Sequence, residues 1–356
     1  MRPSQGCAMA SVTAASGSAS AAVHLAEVTR RDVRSSAQLV ESSHAGHLVV
    51  CGPGGRTIAA VGDVDRTTYV RSAVKPLQAF ACLQVLAEHG VAAPNPRELA
   101  VAWSSHRGEP EHLAAVTALL ARSATPAEAL TCPPAAPEDD PGAVPTRLRH
   151  NCSGKHALFA LAGAALGVEG AALLDPDGPL QRRVLAVLAE VLGPPVAVGT
   201  DGCGAPAVAV PMRGLAVGFQ QLLTDPRAAH VRHAGAAHPL LVGGQGRLES
   251  ALNAAGVVAK VGAEGVYAAA WADADGRPWS LAIKAEDGAL RGVAAVVAAL
   301  LGSLGVIPAG TWEPPPPLGG GRPAGVVRPT GVVAEVVAEV QAAVVVAGTG
   351  WSTASG

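Results

Sequence analysis

Lysine is nearly missing from this chain. Of its 26 Lys+Arg residues, only Lys75, Lys155, Lys260 and Lys284 are lysine, and every other cation is arginine. Arginine serves wherever a generic cation is wanted, but a guanidinium cannot give up its proton and a desolvated amine can. The four lysines are therefore candidates for positions that require an amine. Charge is sparse overall, at 15% of residues with a formal net charge of -2. That balance excludes a basic nucleic-acid footprint and a strong pull toward anionic membrane. Cysteines at positions 7, 51, 82, 132, 152 and 203 are too few and too scattered for a disulfide framework, and fit a reducing compartment. The N-terminus is rich in Ala and Ser but lacks a compact Leu-rich stretch with a cleavage site, so a ragged cytoplasmic start is expected. Residues 292–310 carry no charge and on length alone could span a bilayer. Their glycines, serine, proline and many alanines favour a buried helix ending near 302–305, with no membrane partner.

Hydrophobic residues make up 49% of the 356, punctuated by 42 Gly and 28 Pro, the composition of a globular protein with many turns. HLVVC, GPGG and RTIAAVGDV read as a hairpin. Residues 72–89 read as a helix that tolerates Pro76 only near its start and is closed by Gly90. A second helix is expected over about 110–122, and the breaker-rich stretch 132–145 is expected to be a surface loop. HNCSGKH leads into a further helix that ends at Gly167. PVAVGTDGCGAPAVAVP places Cys203 on a turn between two extended runs, and GVYAAAWADADGRPWSLAIKAEDG is a hairpin with Lys284 at its close.

Ser72 and Lys75, three residues apart at a helix N-terminus, point to one side and pair a nucleophile with a base. The plainer alternative is an N-capping serine beside a solvated lysine. Cys152, Lys155 and His156 fall within one turn, and TDGCG adds Cys203 and Asp201. Two sulfurs and a nitrogen suggest zinc, against the alternative of two buried apolar thiols. Ser104-Ser105-His106 and Lys284 are weak signals alone.

In order, RSAVKP at 71–76, SSHRGE at 104–109, HNCSGKH at 150–156, TDGCG at 200–204 and GAEG at 262–265 resemble the rhizobial-type, thermolabile L-asparaginase II family. The resemblance implies an amidohydrolase that releases ammonia from L-asparagine. Its fold would be α/β (α+β), an antiparallel sheet flanked by helices, similar to serine β-lactamases and glutaminases. Carried over by motif, Ser72 would be the nucleophile, Lys75 its base, and Ser105 with Lys284 a second pair. Lys260 competes with Lys284 for that place; Lys284 is preferred because it ends a strand, like the strand lysine of β-lactamases. Cys152, Lys155 and Cys203 would hold Zn2+, with Arg71, His156 and Asp201 binding substrate or the metal's water. The catalytic domain would cover 23–329, between a variable segment 1–22 and a tail 330–356 whose removal should be tolerated. A homodimer is also implied. Glutaminase, penicillin-recognising hydrolase and a non-catalytic zinc-binding module remain the competing readings.

Overall fold

The computed structural model describes residues 21–137 and 140–346. Most of the expected 1–22 segment and the last ten residues of the expected tail lie outside them. The central sheet has seven antiparallel strands. In chain order these are β1 (Val23–Arg31), β2 (Gln38–Cys51), β3 (Thr57–Val61), and then, after the helical part, β7 (Val258–Gly262), β8 (Val266–Ala272), β9 (Pro278–Ala285) and β12 (Gly325–Pro329). Their spatial order is β12-β1-β2-β9-β8-β7, with β3 beside the second half of β2. A smaller sheet joins β4 (Thr67–Tyr69), β6 (Pro206–Pro211) and β5 (Ala197–Thr200), and β10 (Leu318–Gly319) pairs with β11 (Arg322–Pro323).

Along β8, β9 and the second half of β2 both faces of the sheet are buried, which is why these strands read as continuous apolar runs rather than alternating ones. Along β8, Val266, Ala268 and Ala270 join one core, while Tyr267, Ala269 and Trp271 join the other. The first core is the helical layer: α1 (Lys75–Glu88), α2 (Pro96–Ala102), α3 (Pro110–Ala121), α4 (Ser153–Ala165), α5 (Pro179–Leu192) and α6 (Met212–Thr224), followed by the short α7 (Ala229–Ala237) and α8 (Pro239–Gly243); the next helix, α9 (Leu248–Ala254), sends Leu248 and Leu252 into the second core. The second core lies under α10 (Leu290–Ser303) and α11 (Val332–Val346).

The expected hairpins and the turn carrying Cys203 form; the helix expected over 72–89 begins at Lys75, after a 3-10 turn at Arg71–Val74. The apolar run 292–310 becomes the 14-residue α10, and among the described residues no single helix is long and apolar enough to cross a membrane. The stretch after residue 329 holds a helix, with Val333, Val336, Val340 and Val344 buried at helical spacing. The five described cysteines are buried free thiols.

Candidate active site

Two close approaches assemble the site. At the start of α4, a Cβ on Gly154 would lie 2.0 Å from the Val101 carbonyl of α2, so only glycine lets these helix ends meet. That contact sets Asn151 beside Ser104 and Ser105. At the end of β7, a Cβ on Gly262 would lie 2.8 Å from the Val70 carbonyl, so glycine lets this edge strand press against the 3-10 turn Arg71–Val74. Arg71 itself adopts a left-handed φ of 49°, a conformation costing a non-glycine residue on the order of 1 kcal/mol or more. Its Nε donates to Asp201 Oδ1 at 2.8 Å, which holds the turn that presents Ser72.

Lys75 and Lys260 converge on one hydroxyl. Lys75 Nζ donates to the Ser104 carbonyl at 2.6 Å, to Ser105 Oγ at 3.1 Å and to the Asn151 carbonyl at 3.4 Å. Lys260 Nζ lies 2.8 Å from Ser105 Oγ and 3.0 Å from the Val261 carbonyl. Both lysines are buried, Lys260 completely. Ser72, Ser105, His106, Asn151, Glu249 and Gly262 are among the residues around a cavity of about 410 Å³, a volume suited to a small molecule. Ala135, Ala136 and Pro137 from the breaker-rich stretch line it too, so that loop is a wall of the cavity as well as surface. Ser72 Oγ makes no hydrogen bond to another described residue and is open to the cavity.

Electrostatics separate the groups. Burial, reinforced by the neighbouring Lys75, pulls the Lys260 amine down from its ordinary 10.5 to about 7. Burial and the stacked His112 ring push His106 down to about 3, so it is neutral. The Gly108 N–H donates to His106 Nδ1, which leaves Nε2–H to donate to Ser153 Oγ at 2.8 Å. Ser153 Oγ in turn donates to the Leu148 carbonyl. His106 is thereby pinned, and it anchors the adjoining Ser105.

Beyond the cavity wall lies the thiol cluster. Cys152, Lys155 and Cys203 are all buried, and Lys155 Nζ lies 3.0 Å from Cys203 Sγ. A hydrogen bond from Cys203 holds Cys152 well below the ordinary thiol range, while the same bond raises Cys203. Burial opposes the charge on Lys155, but the Cys203 and Cys152 sulfurs outweigh it and hold the ammonium up. His156 Nδ1 bonds Thr131 Oγ1 at 2.6 Å, leaving its buried Nε2 without a hydrogen bond. Among the described residues no group of three or more His, Cys, Asp or Glu side chains could hold a metal. A zinc ion here would need the Lys155 amine as third donor beside two soft sulfurs, and that set fits zinc chemistry.

The structure thus brings together Ser72, Lys75 and Ser105, and separately Cys152, Lys155 and Cys203. Arg71, Asp201 and His156 are not cavity-lining residues; Asp201 Oδ2 lies 3.9 Å from Cys203 Sγ. Lys284 does not reach Ser105. Its Nζ bonds the Glu264 and Ala285 carbonyls, and Lys260 occupies the place expected for it. Glu249 and the cavity's arginines, Arg149 and Arg247, belong to no motif singled out in the sequence; a carboxylate on a seven-residue helix gives no local signal of burial.

A hydroxyl held between two buried amines beside a cavity is an arrangement suited to moving protons at a bound small molecule. Residues 27–328 match the family model described as L-asparaginase II, and the chain belongs to that family, whose activity is hydrolysis of L-asparagine. No curated protein matches the chain.

Proposed function

We propose that this enzyme hydrolyses L-asparagine to L-aspartate and ammonia through an acyl-enzyme on Ser72. The observation that carries the reading is Ser105 Oγ bridging Lys75 Nζ and Lys260 Nζ, next to a second hydroxyl, Ser72, that faces the same cavity. Ser72 Oγ bonds to the side-chain amide carbon as its proton passes to Lys75, which hands one of its own through Ser105 to the neutral Lys260 amine. When the tetrahedral intermediate collapses, the C–N bond breaks and the nitrogen takes a proton delivered through Ser105, leaving as ammonia. Water then attacks the ester and gives its proton through Ser105 to Lys260, the C–O bond to Ser72 breaks, Ser72 Oγ takes back the proton held by Lys75, and aspartate leaves. A second reading has its own support: Ser105 is the hydroxyl that already touches both amines, so it could be the acylated residue.

Cys152, Lys155 and Cys203 would hold zinc, which when bound supplies a fixed positive charge that aids substrate binding. Arg71, Asp201 and His156 then position polar groups on that side of Ser72. The reading includes a homodimer acting in a reducing, cytoplasmic compartment, consistent with the free thiols.

The test is ammonia release from L-asparagine, L-glutamine and a chromogenic cephalosporin, by wild type and Ser72→Ala, each with and without zinc. Asparagine turnover that disappears in a folded Ser72→Ala supports the mechanism. Turnover of no amide by the folded wild type overturns it.

A further inference from the structure

Glu249 is the unexplained group in the cavity. It sits at the start of α9 and is only 5% exposed, yet it lines the space that Ser72 and Ser105 face. Its carboxylate makes no hydrogen bond or ion pair with any described residue. Its stem is fixed, because a Cβ on Gly243 at the end of α8 would lie 2.6 Å from Glu249 Cγ. The residue is held by its buried stem, while its carboxylate keeps access to the cavity and its charge acts on the Lys260 amine; a fixed carboxylate facing a functional cavity favours an arriving cation. The enclosing walls also carry Arg149 and Arg247, so the cavity presents both signs of charge, the pattern that reads a zwitterion.

Resting on the asparaginase reading above, we propose that Glu249 is the specificity-determining residue that receives the α-ammonium group of the amino-acid substrate. The amide is then held at the two serines while the substrate's other end is read by charge. An amide that lacks the ammonium forgoes that contact and is used less well for that reason.

Succinamate, which is asparagine without its α-amine, provides the comparison. Ammonia release is measured from both amides with wild type, Glu249→Gln and Glu249→Asp, together with melting temperatures and the pH dependence of kcat/KM. Wild type should prefer asparagine over succinamate, and Glu249→Gln should lower kcat/KM for asparagine about 10- to 100-fold, mainly through KM. Its rate on succinamate should stay within about threefold of wild type, which collapses the preference. Glu249→Asp keeps the charge and should recover part of the asparagine activity. Equal losses on both amides, or a shift of the pH limb with no change in preference, would overturn the proposal by making Glu249 a group that acts on Lys260 or on packing. A wild type that hydrolyses both amides equally well would overturn it while leaving the asparaginase reading intact. A wild type that hydrolyses neither would overturn both.

Discussion

Lys260→Arg and Lys260→Met together test whether this amine works as a neutral base. Lys260 titrates near 10.5 when solvated and near about 7 in the fold. At about 1.4 kcal/mol per pH unit, that lowering is worth on the order of 5 kcal/mol in favour of the neutral amine. Between these two values the unfolded chain holds the extra proton, so the contribution of Lys260 to stability rises with pH from about 7 to about 10.5. Below pH 7 the full penalty of the buried ammonium remains. Arginine cannot shed its proton, so Lys260→Arg keeps that penalty at every accessible pH, and its melting temperature at pH 8 should fall well below that of wild type. Lys260→Met removes the charge at similar volume and should melt at or above the wild-type temperature at pH 6. In wild type, kcat/KM for asparagine should rise through a limb near pH 7 as the amine is freed. Both variants should lose that limb and about 100- to 10,000-fold of the activity, the usual reach of a general base. Lys260→Met retaining the limb and the rate would refute the reasoning.

Lys284→Ala should leave kcat/KM within about threefold, measured by the same ammonia assay, because the amine spends its hydrogen bonds on two carbonyls away from Ser105. Truncation after Pro329 should lower the melting temperature sharply. It strips four buried valines from the second core, each worth roughly 1.5 to 3 kcal/mol when fully buried. A truncated chain melting with wild type would show that α11 is dispensable.

Local chemistry was legible in the sequence where it is carried by neighbours along the chain. The helix beginning at Lys75, the Cys203 turn and the 266–285 hairpin all follow from spacing, glycine and proline. The identity of the fourth amine did not, because it is set by the order of strands. Lys260 lies on the edge strand β7, paired with Ala268 of β8, and that edge meets the turn holding Ser72. Lys284 lies on β9, two strands further in, and at about 4.8 Å per strand that displacement puts it beyond reach of Ser105. The resemblance to a strand-ending lysine pointed to β9, whereas the strand lysine that reaches Ser105 lies on β7. Glu249 was silent for a related reason: its burial comes from the packing of α8 and β7 around a short helix, not from any pattern within it. The tail after Pro329 is the opposite case. Its valines recur at helical spacing, and Glu335 and Glu339, one turn apart and exposed, mark the opposite face, so the helix is written in the sequence itself.

The central claim is an acyl-enzyme on Ser72, and the direct measurement is mass spectrometry of the enzyme quenched in acid during turnover of L-asparagine. The account predicts one added aspartyl group, mapped by peptide digestion to Ser72, and absent from Ser72→Ala. The same adduct on Ser105, or turnover by Ser72→Ala at the wild-type rate, would contradict it.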